Sequence, residues 1–102
     1  MVAILVIDAD AAVRLAARRV LENAGFAVSE AAGPGLGCAR PDLVIADLAA
    51  VRPQALCSLH PRAGVLALSE TTDGDGLRKP FTASQLLAAV RLRLARPGGG
   101  TT

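Results

Sequence analysis

The chain predicts an α/β fold: a doubly wound parallel sheet with helices on its faces. Three observations carry that reading. Residues 2–7 and 43–46 are unbroken apolar runs of Val, Ile, Leu and Ala, the composition of strands buried on both faces. Strand-like and helix-like stretches alternate along the chain. Its 102 residues suit one compact domain rather than two.

Each element has a local reason. Residues 2–7 form the first strand, and Asp10 can cap the helix that follows. Residues 11–24 place Val13, Ala16, Ala17, Val20, Leu21 and Ala24 at helical spacing, with Arg14, Arg18, Glu22 and Asn23 outside. Gly25 ends that helix, because glycine accepts the left-handed conformation. Residues 26–31 read as a shorter second strand. Residues 33–41 hold three glycines and two prolines, so at most one poor helical turn fits there. Residues 42–47 are the third strand. Residues 53–59 can form a short helix with Pro53 in its first turn, closed by His60-Pro61. Residues 64–68 are the fourth strand, ending at Ser69.

Nine residues separate Ser69 from Lys79. Nine extended residues span about 30 Å, more than a strand of about 17–20 Å. A loop can therefore make the return crossing, but a full helix plus a strand cannot. A very short fifth strand around Leu77-Arg78 is expected. Thr82-Ala83-Ser84-Gln85 matches a capping box, opening a last helix that runs to about Ala95 and buries Leu86, Leu87, Val90 and Leu94.

Composition narrows the function. Hydrophobic residues make up 52% of the chain, but only Phe26 and Phe81 are aromatic, so the core is aliphatic. The net charge is +2, and Arg14, Arg18 and Arg19, like Arg91, Arg93 and Arg96, read as solvated helix faces. No nucleic-acid partner is expected. No run of about 18 apolar residues suggests a membrane span, and no basic leader precedes an apolar stretch. Cys38 and Cys57 are too few for a disulfide scaffold and read as free small hydrophobes, consistent with a cytoplasmic location. His60 has no partner His or acid adjacent and reads as a helix-end residue.

Three strings carry the chemistry: Ile7-Asp8-Ala9-Asp10, Ala46-Asp47-Leu48 and Arg78-Lys79-Pro80-Phe81. The two acidic strings end strand-like runs, and Lys79 is the only lysine beside ten arginines. Parallel neighbouring strands would bring their carboxylates and this ammonium to one edge. Such a site suits a divalent cation and a phosphoryl group, since lysine offers a compact point charge.

Residues 4–10, 41–48, 65–69 and 79–81 together resemble the receiver domain of two-component response regulators. The resemblance covers nearly the whole chain: 1–96 as the domain, 97–102 as a flexible tail or linker. It implies the flavodoxin-like strand order 2-1-3-4-5, with the second, third and fourth helices shortened or missing here. It implies that Asp47 accepts a phosphoryl group, with Ser69 and Lys79 contacting the phosphoryl oxygens. It further implies Mg²⁺ held by Asp8, Asp47 and the backbone carbonyl of Ala49, and a histidine kinase or phosphotransfer protein as partner. The general logic is a carboxylate nucleophile whose developing charge is neutralised by cations.

The departures are as informative. The usual second acid is Ala9, and Asp10, one residue later, is either a helix cap or a further metal contact. Mg²⁺ should therefore bind weakly. The aromatic switch position three residues before the lysine is Gly76. The short middle helices predict a thinly covered sheet face, bordered by Leu36, Cys38, Val51, Leu56 and Leu59, to be closed either by the chain's own loops or by a second copy in a homodimer. The reading is an atypical receiver acting by protein–protein contact and not an enzyme in its own right. The alternative is a phosphorylation-independent pseudo-receiver that dimerises or binds a small ligand, such as a cyclic dinucleotide held by arginines.

Overall fold

The computed structural model describes residues 2–33, 40–70 and 76–95, without the side chains of Pro53 and Cys57. The strands are β1 (Ala3–Ile7), β2 (Ala27–Ala31), β3 (Leu43–Asp47), β4 (Gly64–Ser69) and β5 (Leu77–Arg78). The helices are α1 (Ala11–Asn23), α2 (Pro53–Leu59) and α3 (Ala83–Ala95). The strands form one sheet in the order β2-β1-β3-β4-β5, with every pairing parallel. This is the flavodoxin-like order.

Side-chain alternation sorts the core into two layers. Ile4 and Val6 of β1, Leu43 and Ile45 of β3, and Leu66 and Leu68 of β4 pack under α1 and α3, against Ala17, Leu21, Leu86 and Val90. Leu5, Ile7, Val44 and Ala46 face the other way, onto Val51, Leu56 and Ala31. Burying each large aliphatic side chain is worth about 1.5–3 kcal/mol, so both layers matter to a small domain.

The helix ends follow the sequence signals. Asp10 is the N-cap of α1, its carboxylate accepting from the Ala12 N–H at 2.9 Å. Gly25, at φ +98°, takes the left-handed turn beyond α1, where a side chain would be strained. Thr82 and Gln85 bond reciprocally at 2.9 and 3.1 Å, a complete capping box at the start of α3. Helix α2 is barely two turns and has no side-chain cap.

One expectation needs correction. Val51 and Leu56 do not border an open patch: they are 5% and 0% exposed and close the face over β1 and β3. Leu5, Ile7, Val44 and Ala46 beneath them are fully buried. Val51 in the turn after β3 and Leu56 of α2 provide that cover, with Ala50 and Ala55 packed beside them. Cover thins at the flanking strands, where Val65 and Ala67 of β4 and Ser29 of β2 remain partly exposed. Leu59 is exposed as expected. Over β1 and β3, the area argument for a homodimer falls away. Leu36, Cys38, the segment 71–75, the tail 97–102 and the Cys57 side chain lie outside the described residues.

Candidate functional site

The parallel register places the ends of β1 and β3 side by side, since Ile7 pairs with Ala46. Asp8 follows immediately on β1, and Asp47 is the last residue of β3. The strand ends are held firmly: the Asp8 N–H donates to the Ala31 carbonyl at 3.1 Å and the Leu48 N–H to the Leu68 carbonyl at 3.1 Å. Two residues of β5 suffice to bring in the third group. Its pairing with β4 continues as the Lys79 N–H donates to the Ser69 carbonyl at 2.8 Å.

Lys79 then reaches across the sheet edge. Its Nζ donates to Asp8 Oδ2 at 2.6 Å and to Asp47 Oδ2 at 2.8 Å. The other carboxylate oxygens bond to backbone. Asp8 Oδ1 accepts from the Asp10 N–H at 2.8 Å, and Asp47 Oδ1 from the Ala49 N–H at 2.9 Å. Asp8, Asp47 and Lys79 therefore converge as the sequence predicts. Ser69 stands at the same edge, one residue beyond Leu68, the register partner of Asp47. The Lys79–Pro80 peptide is cis.

Burial and charge act in opposite directions here. Burial pushes the Asp47 carboxyl up, but hydrogen bonds from Lys79 and the Ala49 N–H, with the charge of Lys79, hold it below the ordinary carboxylate value. Burial likewise pushes the Lys79 ammonium down. Its hydrogen bonds and charge interactions with Asp47 and Asp8 outweigh that and raise it above the ordinary lysine value. Asp8 is 1% exposed, whereas the side chains of Asp47 and Lys79 are 16% and 17% exposed. Asp47 is thus the carboxylate an incoming group can reach.

Among the described residues, no group of three or more His, Cys, Asp or Glu is placed to hold a metal. Asp10 accepts the helix-cap bond through Oδ1, and Ala9 has no carboxylate to offer. The carboxylates of Asp8 and Asp47, which a hard cation would use, are both bonded to Lys79.

Sequence reasoning missed one residue. Arg14, expected on a solvated face, donates from Nη1 to the Asp8 carbonyl at 2.5 Å and pairs with Glu30 at 3.4 Å. It ties α1 and β2 to the residue that anchors the site. Glu30 also pairs with Arg18 at 3.1 Å. No local pattern carries that signal: it lies in the strand register, which sets Glu30 beside Val6, near the end of β1.

At position 76 the backbone itself is close-packed. A Cβ on Gly76 would lie 2.9 Å from the Ala67 carbonyl oxygen, so β5 approaches β4 where the resemblance expects an aromatic ring.

No family model and no curated protein sequence matches the chain. Solved structures do. A response regulator from Thermotoga maritima superposes with a TM-score of 0.76 at 21% identity, covering 94% of this chain and 99% of its own. A CheY-like response regulator receiver domain protein from Methanospirillum hungatei gives 0.78 at 20% identity, with 92% and 94% covered. The chemotaxis protein CheY4 of Vibrio cholerae gives 0.72 at 21% identity, with 91% and 98% covered.

The fold is the receiver fold.

At these identities the likeness is one of architecture. Within it, Asp8, Asp47, Ser69 and Lys79 of this chain sit at the carboxyl edge of the receiver sheet. Among the described residues, no helix is long and apolar enough to cross a membrane.

Proposed function

We propose that the chain is an atypical receiver module of two-component signalling, with Asp47 as its phosphoryl acceptor. The observation that carries this reading is the ammonium of Lys79 bonded to both Asp8 and Asp47 at the open edge of the sheet. In the transfer, an Asp47 carboxylate oxygen forms a bond to phosphorus as the P–N bond of a partner's phosphohistidine breaks. The imidazole leaves with the electron pair. Lys79 turns from Asp47 Oδ2 to the new phosphoryl oxygens, keeping its bond to Asp8. Ser69 offers its hydroxyl from the end of β4. The partner is a histidine kinase or phosphotransfer protein, and the output is a protein–protein contact.

Mg²⁺ is a weak participant in this reading, because Ala9 removes one charged ligand. The test is incubation with acetyl phosphate and Mg²⁺, read by intact mass and peptide mapping. One phosphoryl group on Asp47, absent in Asp47→Asn, is the expected result. Labelling that persists in Asp47→Asn, or none at any donor concentration, would overturn the acceptor assignment.

One observation favours a second reading, a pseudo-receiver that works without phosphorylation. Gly76 carries no ring, and the approach to Ala67 leaves no room for one. A phosphoryl group on Asp47 would then have no aromatic side chain at that position to move. Structures or amide shifts of the phosphorylated protein identical to those of the unmodified one away from the site would favour it.

A further inference from the structure

A cavity lies at the end of the sheet opposite Asp8, Asp47 and Lys79, where the chain enters β3 and β4. It has a volume of about 560 Å³ and is lined by Arg40, Asp42, Leu59, His60, Pro61 and Arg62, among others. The fold assembles it from two segments. The Gly64 N–H donates to the Asp42 carbonyl at 3.1 Å, so residues 40–42 and 61–63 run side by side into their strands. Each contributes one arginine. Neither guanidinium has an ion-pair or hydrogen-bond partner among the described residues, unlike Arg14 and Arg18 on α1.

Asp42 is the one acid in the lining, and its Oδ2 is occupied by the Ala3 N–H at 2.8 Å. The charge balance of the lining is therefore positive. His60 adds an incomplete group: its Nε2 is shielded from water and makes no hydrogen bond among the described residues. A buried polar atom left unpaired costs about 1–3 kcal/mol. A ring turn toward the cavity that His60 already lines would end that cost once an acceptor or donor sits there.

We propose that this cavity binds a phosphate monoester of a small organic molecule, independently of the Asp47 site. Two guanidinium forks match the several terminal oxygens of a phosphate better than the two of a carboxylate. The volume lies within the usual range for small-ligand sites, about 300–1,000 Å³, well above what inorganic phosphate fills. Leu59 and Pro61 provide apolar wall for the organic part. The five residues of β3 separate this end from Asp47 by about 17 Å, so the two sites cannot share one ligand group.

The test is a ¹⁵N amide titration of the full chain with inorganic phosphate, AMP and acetate at constant ionic strength. Saturable shifts are expected at residues 40–42 and 60–63, with AMP tighter than phosphate and phosphate tighter than acetate. The His60 imidazole signals should move with them. Arg40→Ala and Arg62→Ala should each weaken AMP binding about tenfold, the loss of one charge-assisted bond. Both arginines are exposed, so each variant should keep the wild-type amide spectrum elsewhere. Shifts confined to the surroundings of Asp8, Asp47 and Lys79 would overturn the proposal. So would equal affinity for acetate and phosphate, or undiminished AMP binding when both arginines are removed.

Discussion

Replacing Lys79 with methionine removes the cation that joins two strand ends, and the size of the effect can be worked from the geometry. The Oδ2 atoms of Asp8 and Asp47 lie 2.6 and 2.8 Å from Nζ, so they are at most about 5.4 Å apart, those two bonds laid end to end. Two unit charges at that separation repel by about 3 kcal/mol at an effective dielectric near 20. Asp8 is 1% exposed and cannot turn to water, which puts the loss within the roughly 3–5 kcal/mol typical of a broken buried pair. The Asp10 and Ala49 N–H bonds survive and keep the figure at the lower end. Lys79→Met should therefore destabilise the domain by about 3 kcal/mol at pH 7. At about 4–8 °C per kcal/mol for a domain near this size, Tm falls by about 12–24 °C. The deficit should shrink as pH falls, because one carboxylate of the repelling pair takes up a proton. Adding Asp8→Asn to the variant should recover much of the loss, and a double-mutant cycle in urea measures the coupling. A loss under about 1 kcal/mol that does not change with pH would refute the reasoning, because the pair would then be screened as a surface contact.

Three further outcomes follow from the same geometry. Ala9→Asp should tighten Mg²⁺ binding by restoring a charged oxygen ligand, and calorimetric titration of both proteins checks it; equal affinities would mean that Asp10 or water already completes the site. Gly76→Ala should cost about 1–3 kcal/mol, because its Cβ meets the Ala67 carbonyl oxygen at 2.9 Å and backbone must shift; denaturant unfolding with an unchanged midpoint would show that β5 yields freely. The pH dependence has two limbs. Asp47, held below its ordinary value, contributes stability that is complete above about pH 4 and lost as pH falls through its lowered folded value. Lys79, held above its ordinary value, contributes stability that is complete below about pH 10.4 and lost as pH rises through its raised folded value. Thermal unfolding across the pH range should lose the alkaline limb in Lys79→Met and the acid limb in Asp47→Asn.

Much of this architecture was legible in the chain. Residues 2–7 could only be a buried strand, because six consecutive aliphatic residues leave no polar face. The ends of α1 and α3 were legible because caps are local: Asp10 and Ala12, or Thr82 and Gln85, meet within one turn whatever the rest of the molecule does. The length between Ser69 and Lys79 limited β5 to a stub, and it is two residues long. The convergence of Asp8, Asp47 and Lys79 was legible only through the order of strands, since each sits at the carboxyl end of a parallel element.

What the tertiary structure decided are relations between residues far apart in sequence. Val51 and Leu56 close the face over β1 and β3 that composition left open, because where the turn after β3 and α2 come to rest on the sheet is a packing relation between separate segments. Arg14 is a support for Asp8 rather than a solvated charge, because the strand register brings Glu30 to the same corner. Gly76 looks in sequence like a lost aromatic, but the fold shows a close approach of two strands that excludes any side chain. The pairing of Arg40 with Arg62 across one cavity depends on the parallel alignment of β3 and β4, a contact between segments about twenty residues apart that no local pattern encodes.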